Sequence, residues 1–140
     1  MSERLEAVQR LLQEREAHTV HKPLNIRVES YEPEVVIATD VDERLYQPGG
    51  VVHGGVYVLL AESAASVAAC LEVDLDKEIV LGLEINANHL RPTTSGVLRA
   101  IPRLEHKGRT TMVFAIDVYN DDKRVCISRC TVARRPKPQS

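Results

Sequence analysis

Hydrophobic and polar positions divide the 140-residue chain into segments of different period. Residues 2–16 set Leu5, Val8, Leu11 and Leu12 at helical spacing among Glu, Arg and Gln. That pattern predicts an amphipathic helix, N-capped by Ser2 and packed on the body as a flap. Residues 24–30 (LNIRVES) alternate apolar and polar, and residues 34–41 (EVVIATDV) are rich in β-branched side chains. Both predict strands, with Glu32-Pro33 as the turn between them. A polar loop over 42–55 ends in glycine-rich sequence and runs into a helix from about Gly54 to Leu71. Residues 56–71 read VYVLLAESAASVAACL and have no polar face. A helix packed on one side only would show one, so this helix is predicted to be buried. Its many Ala and Ser residues would let a sheet approach closely. An acidic loop over 72–77 closes it. Four strand-like runs follow, at 79–90, 97–106, 110–119 and 124–134. Pro92, Gly96, Lys107-Gly108 and Asp121-Asp122 separate them. Such short connections predict an antiparallel meander.

Two strands, a helix and four strands predict an α+β architecture. A curved antiparallel sheet of about six strands would wrap round one long central helix, with the N-terminal helix added. There is no repeat and no second composition block, so residues 1–140 read as one domain. Residues 1–20 form its N-terminal helix and linker, and 135–140 a flexible tail. Aromatic residues are scarce, with one Phe, four Tyr and no Trp. The core must then rest on Val, Leu, Ile and Ala, and a stacking platform for single-stranded nucleic acid is absent.

Charge and cysteine content narrow the setting further. The net charge of −2 is spread without a basic face, so no nucleic-acid partner is expected. Arg134, Arg135 and Lys137 read as part of a solvated tail. Cys70, Cys126 and Cys130 are odd in number and not spaced C-x-x-C, and the N-terminus carries no signal-peptide pattern. A reducing, cytoplasmic compartment is expected. The apolar run is short for a membrane span and carries Glu62, so no membrane partner is expected. His18 and His21 lack a neighbouring carboxylate or cysteine cluster, and no metal site is assigned.

The candidate chemistry lies in residues 47–71, QPGGVVHGGVYVLLAESAASVAACL. Glu62 is the one strongly ionisable group in the apolar helix, where a carboxylate is costly unless it is partnered or protonated. Gln47 lies in the preceding loop, His53 at the junction, and Gly54 and Gly55 in the first helical turn. Ser66 lies one turn beyond Glu62 on the same face. A helix N-terminus presents unpaired N–H groups and positive potential, and glycine lets a substrate reach the backbone there. The Gly55 N–H and the Gln47 side-chain amide would make an oxyanion hole. Glu62 would be the base or nucleophile, with Ser66 holding the carboxylate or a water. Taken singly, each feature has a plainer explanation. Glu62 would pair with Arg91, His53 would cap the helix, and the glycines would make a tight turn.

Geometry adds a condition. Gly55 and Glu62 are seven residues apart, about 10 Å along a helix axis. An oxyanion donor and a nucleophile must flank one carbon atom. If the constellation is catalytic, two antiparallel copies of the helix are needed. Gln47, His53 and Gly55 would come from one subunit, and Glu62 and Ser66 from its mate.

The pattern Q-P-x-G-x-x-H-G-G, followed by Glu in an Ala/Ser-rich helix, resembles the hotdog-fold acyl-CoA thioesterases. Within that family it is most similar to the branch of the 4-hydroxybenzoyl-CoA, phenylacetate-pathway and enterobactin-proofreading thioesterases. Residues 82–92 (GLEINANHLRP) and 103–109 (RLEHKGR) resemble later parts of that branch. The resemblance covers residues 23 to 133. It implies the hotdog fold and a homodimer, commonly a dimer of dimers (a homotetramer), with sites at the dimer interface. Glu62 matches the catalytic carboxylate. Gln47 and the Gly55 backbone match the groups that polarise the thioester carbonyl. His53 matches the histidine that orients substrate, and Ser66 the hydroxyl near the attacking water. Gly54, His89, Arg91 and Arg109 are carried over as substrate-binding residues, the last three toward the pantetheine and nucleotide end. No cofactor is implied. Coenzyme A enters as the substrate's carrier, with a carrier-protein thioester as the other partner open.

Thioester hydrolysis is the expected reaction, releasing a free acid and a thiol from an acyl or aroyl thioester. Two other functions fit the same fold. In an acyl-thioester dehydratase a proline-rich stretch follows the histidine, whereas His53 is followed by Gly-Gly. A non-catalytic acyl-CoA sensor usually carries an attached regulatory segment, for which this chain has no evident room.

Overall fold

The structure of the chain is a computed structural model and describes residues 2–139. Helix α1 spans Glu3–Arg15 and α2 spans Gly54–Leu71. The strands are β1 (Arg27–Ser30), β2 (Val36–Asp40), β3 (Glu78–His89), β4 (Val97–Lys107), β5 (Thr111–Asn120) and β6 (Lys123–Pro136). They form one six-stranded antiparallel sheet in the order β1-β2-β4-β5-β6-β3. The expected α+β architecture and its element order are therefore present.

The sheet curves against α2, which touches β2, β3, β4, β5 and β6. Period-2 alternation makes this possible. Met112, Phe114, Ile116 and Val118 of β5 all point inward and are fully buried. Leu60, Ala61, Ala64 and Ala65 meet them from α2 with no exposed surface. Small side chains on that helix face allow the close approach. By length and composition α2 would suffice to cross a membrane, but here it is the core helix of the sheet.

The predicted meander holds only for β4, β5 and β6. β3 lies beyond β6 at the edge of the sheet, three strand spacings from β4, or about 14 Å at ~4.8 Å per strand. Residues 90–96 carry the chain across and are pinned over the start of α2. There the Tyr57 hydroxyl donates to Thr93 Oγ1 (2.8 Å), and the Val52 N–H donates to the Thr93 carbonyl (2.9 Å). β3 thus keeps one unpaired edge, with Leu81 and Leu83 each 56% exposed.

Three further expectations change. β1 begins at Arg27 rather than at residue 24, because Asn25 takes a left-handed turn (φ 50°). α2 is not covered all round by its own chain, since Leu59, Glu62, Ser66 and Cys70 form a half-buried stripe. The C-terminal tail starts later than residue 135. Arg135 and Pro136 belong to β6, and the Lys137 N–H donates to the Lys77 carbonyl (2.7 Å). Arg134 is not solvated either. It grips Glu78 through Nε and an Nη nitrogen at 2.8 and 2.9 Å, which holds the Glu78 carboxyl below its usual range.

Tyr57 and Thr93 are both buried, so each hydroxyl depends on the other. Tyr57→Phe is expected to lower stability by about 1–2 kcal/mol in urea unfolding, because Thr93 is left unpaired. Adding Thr93→Val should recover most of that loss. An unchanged midpoint in the single variant would contradict this pairing.

Candidate active site

The N-terminus of α2 is built by its flanking loop. His53 is the N-cap residue, and its Nδ1 accepts the Gly55 N–H at 2.8 Å. The His53 N–H is itself held by the Leu45 carbonyl (2.8 Å). The Gly54 N–H has no hydrogen-bond partner among the described residues. Gly55 was the expected backbone donor, but its N–H is committed to the cap. The open donor of the first turn is Gly54.

Gln47 stands beside this end. Its Oε1 accepts the Gly49 N–H, and its side-chain NH2 has no hydrogen-bond partner among the described residues. His89 lies against Gly54 so closely that a Cβ there would sit 2.8 Å from His89 Nε2. A side chain there would push the His89 ring aside. The Tyr57 ring also lies against His89, with centroids 5.2 Å apart. Gln47, Gly54, Tyr57, His89 and Arg91 line one cavity of about 280 Å3.

Glu62 and Ser66 line a different cavity, of about 370 Å3, between α1, α2 and β3. Its walls are largely apolar, with Leu12, Leu59, Val67 and Leu81 among them. The Glu62 carboxylate lies over Gly82 of β3, where a Cβ would collide with Oε1. Among the described residues Glu62 makes no ion pair, so the plainer pairing with Arg91 is not found. Cys70 also lines this cavity, but burial pushes its thiol up to about 11, so it is no thiolate at neutral pH.

The predicted residues therefore fall into two groups within one chain. Gln47, Gly54, His89 and Arg91 converge at the start of α2, while Glu62 and Ser66 face the cavity midway along it. His53 and Gly55 form the cap beside the first group. Arg109 joins neither cavity. It lies in the β4–β5 turn, at the end of the sheet opposite His89 and beyond Thr111, which is itself seven strand residues or ~23 Å from the level of His89. Sequence reasoning missed Gly82, Tyr57, His21 and Ser63. Gly82 stood in the quoted GLEINANHLRP stretch, but its contact with Glu62 is long-range and has no local signal.

Comparison with known proteins shows the family. The family model described as the thioesterase superfamily matches residues 49–127. The chain belongs to that superfamily. Thioesterase PA1618 from Pseudomonas aeruginosa is similar in structure, with 39% identity and a TM-score of 0.85 over 95% of this chain and 94% of its own. A 1,4-dihydroxy-2-naphthoyl-CoA hydrolase from Listeria monocytogenes is 42% identical over 120 residues, 84% of this chain and 97% of its own length. The protein SAV0944 from Staphylococcus aureus is 33% identical with a TM-score of 0.81, covering 85% of this chain and 100% of its own. Its solved forms include one with a glutamine and one with a glutamate replaced by alanine, fifteen positions apart. Gln47 and Glu62 are also fifteen apart. This chain is a thioester hydrolase with the hotdog fold.

Gly82, outside the motif, lies directly under the Glu62 carboxylate. Gly82→Ala should displace the Glu62 carboxylate and reduce kcat by roughly 10- to 100-fold, since small misplacements carry costs of that order. Circular dichroism should be unchanged. A Gly82→Ala enzyme with wild-type kcat would contradict the observed contact.

Proposed function

We propose that this thioesterase hydrolyses acyl- or aroyl-coenzyme A thioesters in a site completed by two copies of the chain. One observation carries the reading. The free Gly54 N–H and Glu62 lie eight residues apart on one straight helix, about 12 Å along its axis, and in separate cavities. No single carbonyl carbon meets both within one chain. Two antiparallel α2 helices would bring Gly54 of one copy to Glu62 of the other. The unpaired β3 edge and its exposed Leu81 and Leu83 support such a homodimer, because a long apolar edge favours strand addition. A dimer of dimers is compatible with it.

In this proposal the thioester oxygen accepts from the Gly54 N–H and the Gln47 side-chain amide at the positive end of α2. Negative charge gathers on that oxygen as the tetrahedral intermediate forms. Glu62 of the partner subunit either attacks the carbonyl carbon or takes a proton from a water held with Ser66 as that water's oxygen attacks the carbon. The C–S bond then breaks, and the thiolate leaves without needing a strong acid. If Glu62 attacks, a water cleaves the resulting anhydride and returns the carboxylate. His53 acts by holding the Gly55 N–H, which fixes the cap and leaves Gly54 as the donor. His89 and Arg91 would meet the thiol-bearing arm near Gly54. Coenzyme A as carrier is supported by the name of the Listeria relative and by the basic side chains at that cavity. A carrier-protein thioester is the other option. The three unpaired cysteines fit a reducing cytoplasmic setting.

Thiol release from a panel of acyl- and aroyl-CoA substrates tests this reading. Glu62→Ala should lose roughly a thousandfold or more in kcat, and Gln47→Ala roughly 10- to 100-fold, with oligomer size preserved. Near-full activity in Glu62→Ala would remove Glu62 from the reaction.

A further inference from the structure

The Glu62 cavity ends at a polar contact in an otherwise apolar wall. Ser63, one residue past Glu62, is buried and holds His21 through Oγ–Nε2 at 2.7 Å. His21 comes from the segment after α1, so this bond bridges 42 positions of sequence. His21 also lines a second cavity of about 260 Å3, bounded by α1 and β1, whose walls combine Ile26, Val28 and Tyr31 with the polar Gln13, Glu16 and Arg27. The two cavities share two lining residues, Leu12 and His21. Leu12 is anchored in the last turn of α1, on the same face as the buried Leu5 and Val8. His21 lies in a turn and depends on Ser63 for its position.

We propose that His21, held by Ser63, is the stop that limits acyl length in this thioesterase. The inference rests on the reading of Glu62 as the reacting carboxylate, since the acyl group must then lie in the Glu62 cavity. Ser63 adjoins Glu62 on α2, so an acyl chain running from the reacting carbon toward α1 meets the His21 ring early. An apolar cavity of about 150 Å3 accepts benzene, so about 370 Å3 takes a short or compact acyl group before the wall. Removing the ring would join the first cavity to the second and open a longer path beneath α1, apolar along Leu12, Ile26, Val28 and Tyr31 and polar where Gln13, Glu16 and Arg27 line it. Burial also lowers the His21 pKa, which keeps the ring neutral and compatible with an apolar tail near pH 7.

The test is kcat/KM for butanoyl-, hexanoyl-, decanoyl- and tetradecanoyl-CoA with the full chain. The wild type should favour the short members. His21→Ala should raise the long-to-short ratio at least roughly tenfold, since one methylene in an apolar pocket already carries about that discrimination. His21→Phe, which keeps a ring but loses the bond to Ser63, should shift the ratio no further than Ser63→Ala. Ser63→Ala, which releases the ring without removing it, should shift the ratio in the same direction as His21→Ala by a smaller factor. This variant decides the matter if His21→Ala does not fold. A wild type that already favours long chains, or ratios unchanged in both His21→Ala and Ser63→Ala, would overturn the proposal. With Glu62→Ala inactive on every chain length, that failure would leave the thioesterase reading intact. Equal turnover by wild type and Glu62→Ala would sink both.

Discussion

The rise of α2 constrains everything else in this molecule. Its first turn offers an unpartnered N–H at Gly54, and its middle offers the Glu62 carboxylate. A helix fixes the distance between those points, whatever the surrounding sheet does. The sheet then makes α2 immovable. Leu60, Ala61, Ala64 and Ala65 are buried against strands whose own side chains alternate inward. The chain cannot bend the helix to join the two groups without breaking that core. A second copy of α2 is the economical way to unite them, and the proposed function accordingly makes subunit pairing part of the chemistry.

Glycine is used where the site has no space to spare. Gly54 lies beneath His89, and Gly82 lies beneath the Glu62 carboxylate. Each absent Cβ leaves room for a functional side chain to rest on backbone. The cap adds a selection among donors. Because His53 Nδ1 takes the Gly55 N–H, a single N–H of the glycine pair stays open. The buried Tyr57–Thr93 bond ties the β3–β4 connection over the same helix end, and the Tyr57 ring supports His89. Fold stability and site geometry therefore share residues at the start of α2.

Much of this was legible in the sequence wherever the signal is local. The bounds of α2 follow from composition, and the motif from Gln47 to Glu62 lies in one short stretch whose spacing contains the distance argument. What was not legible depends on contacts between distant segments. The position of β3 beside β6 is a non-local pairing that short connections do not reveal. Arg134 seemed part of a tail because its partner, Glu78, lies 56 residues away. The His21–Ser63 bond spans 42 positions, and His21 alone carries no periodic or motif signal. Assigning Gly54 rather than Gly55 as the open donor needs the direction of the His53 ring, which spacing does not encode.

Subunit complementation tests the shared site most directly. Glu62→Ala and Gln47→Ala chains are each impaired in every site of their own homodimers. When the two are mixed equally and allowed to exchange, about half of the dimers are mixed. Each mixed dimer regains one site with Gln47 from one chain and Glu62 from the other. Thiol release should rise toward about a quarter of the wild-type value per chain. Activity that stays at the average of the two variants, with mixed dimers demonstrated by mass, would contradict the account.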